Sequence, residues 1–145
     1  MTSIDFYFNA TDKLQVACRL AGKAAARGTR LLIYAPQGDT ALRIDRMLWT
    51  WQATGFVPHC ATHDPLAPET PVLIGTDADV GAACEVLLNL APDTPPAFER
   101  YERLLELVAQ DDEDRRAARV RYKFYRERGY RIADHDLGGA GGGAP

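Results

Sequence analysis

The chain has 145 residues, of which 46% are hydrophobic and 26% charged, and its formal net charge is −3. This length and composition predict one soluble globular domain. No apolar run approaches the roughly 20 residues of a membrane helix, and the N-terminal stretch lacks the basic start and apolar core of a secretory signal. Three widely spaced cysteines, Cys18, Cys60 and Cys84, favour reduced thiols over a disulfide framework, so we expect a cytoplasmic protein.

The first part of the chain alternates between strand-like and helix-like segments. IDFYF at residues 4–8 predicts a strand, and Thr11 or Asp12 can cap the helix that follows. The continuous apolar run RLLIYAP at 30–36 predicts a strand that is buried on both faces. ALRIDRMLWTW at 41–51 then predicts a second helix.

The alternation continues in the second part of the chain. Three further strands are predicted at FVPHCA (56–61), VLIGT (72–76) and EVLLNLAP (85–92). Pro58 indicates that the first of these lies at a sheet edge or contains a bulge, since proline donates no ladder hydrogen bond. FERYERLLELVAQ at 98–110 predicts a third helix, and a basic helix follows from about residue 111 to 128.

Strands that alternate with helices are typical of an α/β fold, with a mainly parallel central sheet flanked by helices in three layers. We assign residues 1–132 to a single domain of this class and residues 133–145, which are rich in glycine, to a disordered tail. Such a fold is similar in topology to nucleotide-binding domains. However, the sequence has no GxxxxGK[ST] and no GxGxxG after the first strand, so we expect no phosphate loop and no cofactor.

The sequence offers little support for a catalytic or metal site. His59, Cys60 and His63 lie close together, but zinc usually takes four ligands and a fourth is not evident. The only serine, Ser3, is not part of a nucleophile elbow. We therefore predict that the protein is not an enzyme, with neither catalytic nor metal-binding residues.

The segment RRAARVRYKFYRERGYR at residues 115–131 contains eight of the 17 basic residues. Helical spacing places Arg115, Arg119, Tyr122 and Arg126 on one stripe, which Lys123 flanks. The predicted buried sides of this helix consist of Ala117, Ala118, Val120, Phe124 and Tyr125.

A basic stripe of this kind is often only a solvated helix face. Here the interleaved aromatic residues favour a binding surface, for which two classes of partner are suitable. Nucleic acid would use phosphate contacts and base stacking, whereas an acidic peptide would be held through its carboxylates. Because the chain as a whole is acidic and DDED at 111–114 adjoins the stripe, the short peptide is favoured.

Three motifs resemble one family of replication proteins. RIDRMLW at 43–49, GFVPH at 55–59 and ARVRYKFYRERGY at 118–130 are similar, in order and spacing, to the chi subunit of bacterial DNA polymerase III holoenzyme. The resemblance extends from the opening FYF to about Ile132. It implies a small three-layer α/β adaptor without a nucleotide, which binds the C-terminal tail of single-stranded DNA-binding protein and pairs with the psi subunit of the clamp loader.

The resemblance also implies particular site residues. The surface for the acidic tail, which ends in Pro-Phe, would consist of Val108, Arg115, Arg119, Tyr122 and Lys123. Arg115 stands where the family pattern has lysine, which keeps the charge but changes the donor geometry. The psi-facing surface would consist of Trp49, Phe56 and Pro58, and the resemblance further implies a helicase that competes with psi for that surface.

Two other functions remain as alternatives at this point. A direct single-stranded DNA-binding module would use the same basic helix to contact DNA. An adaptor, by contrast, would contact DNA only indirectly, through its protein partner. A small α/β enzyme would need a convergent polar pocket at the ends of the strands.

Overall fold

The computed structural model describes residues 1–50, 57–78 and 84–138. Its strands are β1 (Ser3–Ala10), β2 (Leu31–Tyr34), β3 (His59–Ala61), β4 (Val72–Gly75), β5 (Val86–Asn89), β6 (Arg103–Ala109) and β7 (Ile132–Asp136). Its α-helices are α1 (Lys13–Ala26), α2 (Gly38–Trp49) and α3 (Asp112–Glu127). Short 3-10 turns precede β4 and β6, at Ala67–Glu69 and Phe98–Arg100.

All seven strands pair in parallel in one sheet, in the order β3-β4-β2-β5-β6-β1-β7. The first strand, β1, therefore lies between β6 and β7, which both come from the last third of the chain. Strand β3 is at the edge of the sheet, which is one of the two alternatives that Pro58 predicts. A three-layer α/β domain with a parallel sheet is thus confirmed.

The sheet separates two hydrophobic cores. Leu31 and Ile33 of β2 point toward the core that contains helices α1 and α2. Leu32 and Tyr34 of the same strand point toward the second core, which contains helix α3. This alternation explains the continuous apolar runs of the central strands, because both faces of each strand are covered.

The helix boundaries follow from local chemistry. Asp12, one of the two caps predicted for α1, accepts hydrogen bonds from the backbone N–H groups of Leu14 and Gln15. Helix α3 starts after Asp111, whose side chain accepts from the Asp114 N–H, and its first turn is acidic, which suits the positive end of the helix dipole.

The prediction of a third helix over residues 98–110 is wrong. Most of this segment is strand β6, which pairs with β1 on one side and β5 on the other. Its apolar residues also fit helical spacing, and its leucines and glutamates favour helices. The sequence pattern alone therefore does not distinguish a strand from a helix in this segment. The segment forms a strand because its side chains are buried in the cores on both faces of the sheet.

Strand β7 was not predicted from the sequence. It pairs with β1 from Ile132 to Asp136, and the Leu137 N–H donates to the Phe8 carbonyl at 2.9 Å. The sheet therefore includes residues 133–136, which the sequence analysis placed in the tail. The rest of the glycine-rich segment, residues 139–145, lies outside the described residues.

Within the described ranges, no helix is both long enough and apolar enough to span a membrane.

Candidate functional site

A groove of about 600 Å³ runs between helix α3 and the carboxyl ends of β1, β6 and β7. In parallel α/β sheets this edge is where ligands commonly bind. The groove is lined by Phe8, Asn9, Val108, Arg115, Ala118, Arg119, Tyr122, Lys123, Arg126, Asp134 and Asp136. All five residues predicted for the acidic tail are among them.

Val108 reaches the groove by a different route from the one predicted. The sequence pattern predicts Val108 on a helix before the basic helix, whereas it lies near the end of strand β6. Because alternate residues of β6 face opposite sides of the sheet, Val108 points toward α3 together with Leu104 and Glu106. Val108 thus forms part of the groove floor, and helix α3 forms one wall.

Apolar and aromatic side chains form the floor. The Tyr122 ring lies 4.9 Å from the Phe6 ring and 6.3 Å from the Phe8 ring, measured between centroids. Its hydroxyl donates to Asp134 Oδ2 at 3.2 Å. Burial, then the Asp134 carboxylate, raises the pKa of Tyr122, so this hydroxyl stays protonated and can donate.

The helix wall carries four cations in different surroundings. Arg115 Nη2 donates to Asn9 Oδ1 at 3.3 Å, and Arg126 lies 5.8 Å from the centre of the Tyr122 ring. Lys123 is 3.8 Å from Glu127, and both side chains are largely exposed. Arg119 makes no hydrogen bond or ion pair with the described part of the chain, so its guanidinium can bind a ligand without first breaking such a contact.

Two carboxylates of β7, Asp134 and Asp136, form the opposite wall. Asp136 Oδ1 accepts from Asn9 Nδ2 at 2.7 Å and from the Gly138 N–H at 2.9 Å. The hydrogen bond from Asn9, followed by that from Gly138, lowers the pKa of Asp136. Asn9 has a left-handed φ of 63°, which asparagine tolerates, at the irregularity in the pairing of β1 with β6.

A buried polar network holds helix α3 on the sheet. Arg121 Nε donates to Glu106 Oε1 at 3.0 Å, and both side chains are almost completely buried. Tyr125 Oη and Asn89 Nδ2 also donate to the Glu106 carboxylate. Arg121 Nη1 donates in addition to the Pro92 carbonyl at 2.7 Å.

The sequence pattern does not predict this network. It placed Glu106 on a helix and predicted Val120 as a buried residue of α3, but Val120 is 71% exposed and Arg121 is the buried neighbour. A single glutamate within an apolar run was the available signal, because a buried carboxylate requires a partner.

Two of the three residues predicted for the psi-facing surface are exposed on the other side of the molecule. Trp49 at the end of α2 is 58% exposed, and Pro58 is exposed just before β3. Leu42, two helical turns before Trp49, is 57% exposed and extends the apolar stripe. Phe56 lies outside the described residues.

His59 anchors this second surface. Its Nδ1 lies 2.7 Å from the Val57 carbonyl oxygen and its Nε2 lies 3.1 Å from Asp45 Oδ1. Trp49 packs edge-on against the His59 ring at 5.1 Å between centroids. Across the described ranges, no three His, Cys, Asp or Glu side chains are grouped so that they could hold a metal ion.

Comparison with known proteins identifies the family. Residues 1–133 match the family described as DNA polymerase III chi subunit, HolC. The chain belongs to the DNA polymerase III chi subunit family. The match covers β1, β6 and α3 and ends within β7, before Asp134 and Asp136. The family that the sequence motifs resemble is thereby confirmed.

Three chi subunits are similar along most of their length. DNA polymerase III subunit chi of Pseudomonas aeruginosa is 34% identical over 141 residues, which cover 94% of this chain and 98% of that protein. The Haemophilus influenzae subunit is 28% identical over 125 residues, covering 86% and 87% of the two chains. The Escherichia coli K12 subunit is 27% identical over 119 residues, covering 81% of each chain.

A solved structure shows the same fold in a distant protein. The C-terminal domain of S. cerevisiae Dbp5, bound to Gle1 and IP6, superposes with a TM-score of 0.62 at 13% sequence identity. The match covers 93% of this chain and 90% of that chain. At this identity the likeness shows a shared fold and carries no conclusion about function.

Proposed function

We propose that this chi subunit is a non-catalytic replication adaptor that binds the acidic C-terminal tail of single-stranded DNA-binding protein. The observation that carries the proposal is the convergence of Val108, Arg115, Arg119, Tyr122 and Lys123 on one groove. These residues come from two separate elements, β6 and α3. A solvated helix face would not require an apolar floor beneath its cations, whereas a peptide with both carboxylates and an aromatic end does.

The cations and the apolar floor of the groove match the carboxylates and the aromatic ring of such a tail. The terminal carboxylate would bind Arg119, because this guanidinium has no competing partner in the described part of the chain. The terminal phenylalanine ring would pack on Val108 and Tyr122. Aspartates upstream in the tail would lie over Lys123 and Arg115, where exposed cations flank the groove.

Binding of this kind is expected to be weak and fast. Long-range attraction raises the association rate and makes the affinity fall with salt. A disordered tail loses entropy when it becomes ordered, so we expect a micromolar Kd, roughly −8 kcal/mol. Weak binding suits a contact that must be remade each time a new lagging-strand fragment begins.

We further propose that the apolar end of α2 binds the psi subunit, which links chi to the clamp loader. The support is the exposure of Trp49 and Leu42 on one stripe, with Pro58 nearby, since large exposed apolar groups mark interaction surfaces. A helicase that competes with psi would use the same surface.

The first test is a titration of the protein with a labelled peptide that ends in several aspartates and Pro-Phe, at low and at moderate salt. We expect micromolar binding that weakens with salt. Arg119→Ala should reduce the affinity by about 1.5–3 kcal/mol, or about 10- to 150-fold, because it removes a charge-assisted hydrogen bond.

Arg116→Ala is the matched control, since Arg116 is exposed on the same helix but does not line the groove. It makes the same change in net charge and should leave the affinity within about twofold. Equal losses in the two variants would mean that net charge alone attracts the peptide. Binding of oligo-dT without binding of the peptide would instead support a direct DNA-binding module.

A further inference from the structure

The acidic wall of the groove is unexpected in a site that attracts an acidic ligand. Asp134 and Asp136 are two residues apart on β7, so both side chains lie on the face of the strand that borders the groove. Their spacing along the strand is about 6.6 Å. They face the cations of α3 across the groove.

These carboxylates do not neutralise the helix wall. Within residues 1–50, 57–78 and 84–138, neither Asp134 nor Asp136 forms an ion pair with any arginine or lysine. Asp134 Oδ2 accepts from the Tyr122 hydroxyl, and Asp136 Oδ1 accepts from Asn9 and from the Gly138 N–H. The second oxygen of each carboxylate receives no hydrogen bond from the described residues and stays available as an acceptor.

We propose that Asp134 and Asp136 make the groove selective for an extended peptide over nucleic acid, by accepting backbone N–H groups and by repelling phosphates. This inference rests on the proposed function of the groove and assigns it a second, specificity-determining wall. The helix wall binds the carboxylates of the ligand, and the β7 wall binds its main chain.

Geometry supports this division. Backbone N–H groups on one side of an extended peptide recur every second residue, about 6.8 Å apart, which is close to the spacing of the two carboxylates. A nucleic-acid backbone has no N–H donor, and each phosphate that approaches this wall meets a like charge. A peptide therefore gains contacts on both walls, whereas a nucleic acid gains them on one wall only.

Asn9 holds the acidic wall in place. Its amide oxygen accepts from Arg115 and its amide nitrogen donates to Asp136, so one side chain connects the two walls at the end of the groove. The left-handed backbone at this position directs the side chain between them. Arg115 and Asp136 thus contact opposite ends of the same amide group.

The test compares peptide and oligo-dT binding in the full chain. The double variant Asp134→Asn with Asp136→Asn removes the charge but keeps an acceptor on each side chain. We expect the ratio of peptide affinity to oligo-dT affinity to fall about tenfold, mainly because oligo-dT binds more tightly. The control is Asp112→Asn with Glu113→Gln, which changes the net charge equally but lies outside the groove, and it should change this ratio by less than twofold.

A second measurement tests the acceptor role. N-methylation of single peptide bonds in the acidic peptide removes one N–H at a time, and we expect at least one position to weaken binding about fivefold. The same modification should have little effect on the variant Asp134→Ala with Asp136→Ala, which lacks both acceptors. Thermal unfolding of each variant confirms that it is folded.

The outcomes separate the inference from the function on which it rests. If wild-type protein does not bind the unmodified peptide, the proposed function of the groove fails. If it binds the peptide but the Asn variant keeps the wild-type ratio, or if N-methylation weakens the Ala variant as much as the wild type, the role of the acidic wall is overturned.

Discussion

Glu106 and Arg121 form an ion pair beneath helix α3, with 0% and 2% of their side chains exposed. Burial raises the pKa of Glu106, and Arg121, Tyr125 and Asn89 oppose this rise by donating to the carboxylate. Arg121, Tyr125 and Asn89 all contact the carboxylate as hydrogen-bond donors, which is the arrangement that an ionised carboxylate needs. The pair fixes where α3 sits on the sheet, and so it also fixes the helix wall of the groove.

Arg121→Met should lower the free energy of unfolding by about 3–5 kcal/mol, because it leaves the Glu106 carboxylate buried without its cation. The measurement is urea-induced unfolding followed by circular dichroism. Arg116→Met is the control on the exposed face of the same helix and should change stability by less than about 0.5 kcal/mol. Adding Glu106→Gln to Arg121→Met should restore part of the loss, and a further loss would show that Glu106 does not depend on Arg121.

At the scale of single elements, α1 shows which of two candidate caps is used. Asp12→Ala should destabilise the protein by about 1 kcal/mol, since the Leu14 and Gln15 N–H groups lose their acceptor. Thr11→Ala is the matched control, because Thr11 was the alternative cap in the sequence. Equal losses in chemical denaturation would contradict the cap geometry.

The three helices and the strands β2, β4 and β5 could be predicted from the sequence, because helical spacing and apolar runs are local signals. Strand β6 could not, since its segment also satisfies helical spacing and only its two neighbours in the sheet determine its state. Strand β7, with the sequence IADHD, has little apolar content and is stabilised by pairing with β1 on one side.

The same distinction applies to the groove. Four of its predicted residues, Arg115, Arg119, Tyr122 and Lys123, share one helix face, so their proximity follows from helical spacing. The carboxylates of β7 and Asn9 come from the two ends of the chain, and only tertiary structure brings them to the groove. The family resemblance predicts the helix wall of the groove, whereas the acidic wall of β7 becomes evident only from the folded structure.

At the scale of the whole molecule, the two candidate surfaces lie on opposite faces of the sheet. Helix α2, which carries Trp49, packs on the core shared with α1, whereas α3 packs on the other core. The two surfaces are therefore separated by the sheet and share none of the residues predicted for them.

We expect the two surfaces to bind independently. Trp49→Ala should weaken psi binding and leave the acidic peptide within about twofold of its wild-type affinity, and Arg119→Ala should do the reverse. Calorimetric titration of the peptide in the presence and absence of psi measures the coupling. A change of tenfold or more would mean that the two surfaces communicate through the sheet.

The position of β1 between two strands that come late in the chain affects how the protein can be made. During synthesis β1 emerges before the other strands of the sheet. Both of its neighbours, β6 and β7, lie after residue 102 and are translated last. A nascent chain on the ribosome can pair β2 with β4 and β5 long before the Ser3–Ala10 segment has a partner. The apolar side chains of β1 therefore lack their neighbouring strands, or are shielded by a chaperone, until nearly the whole domain has been translated.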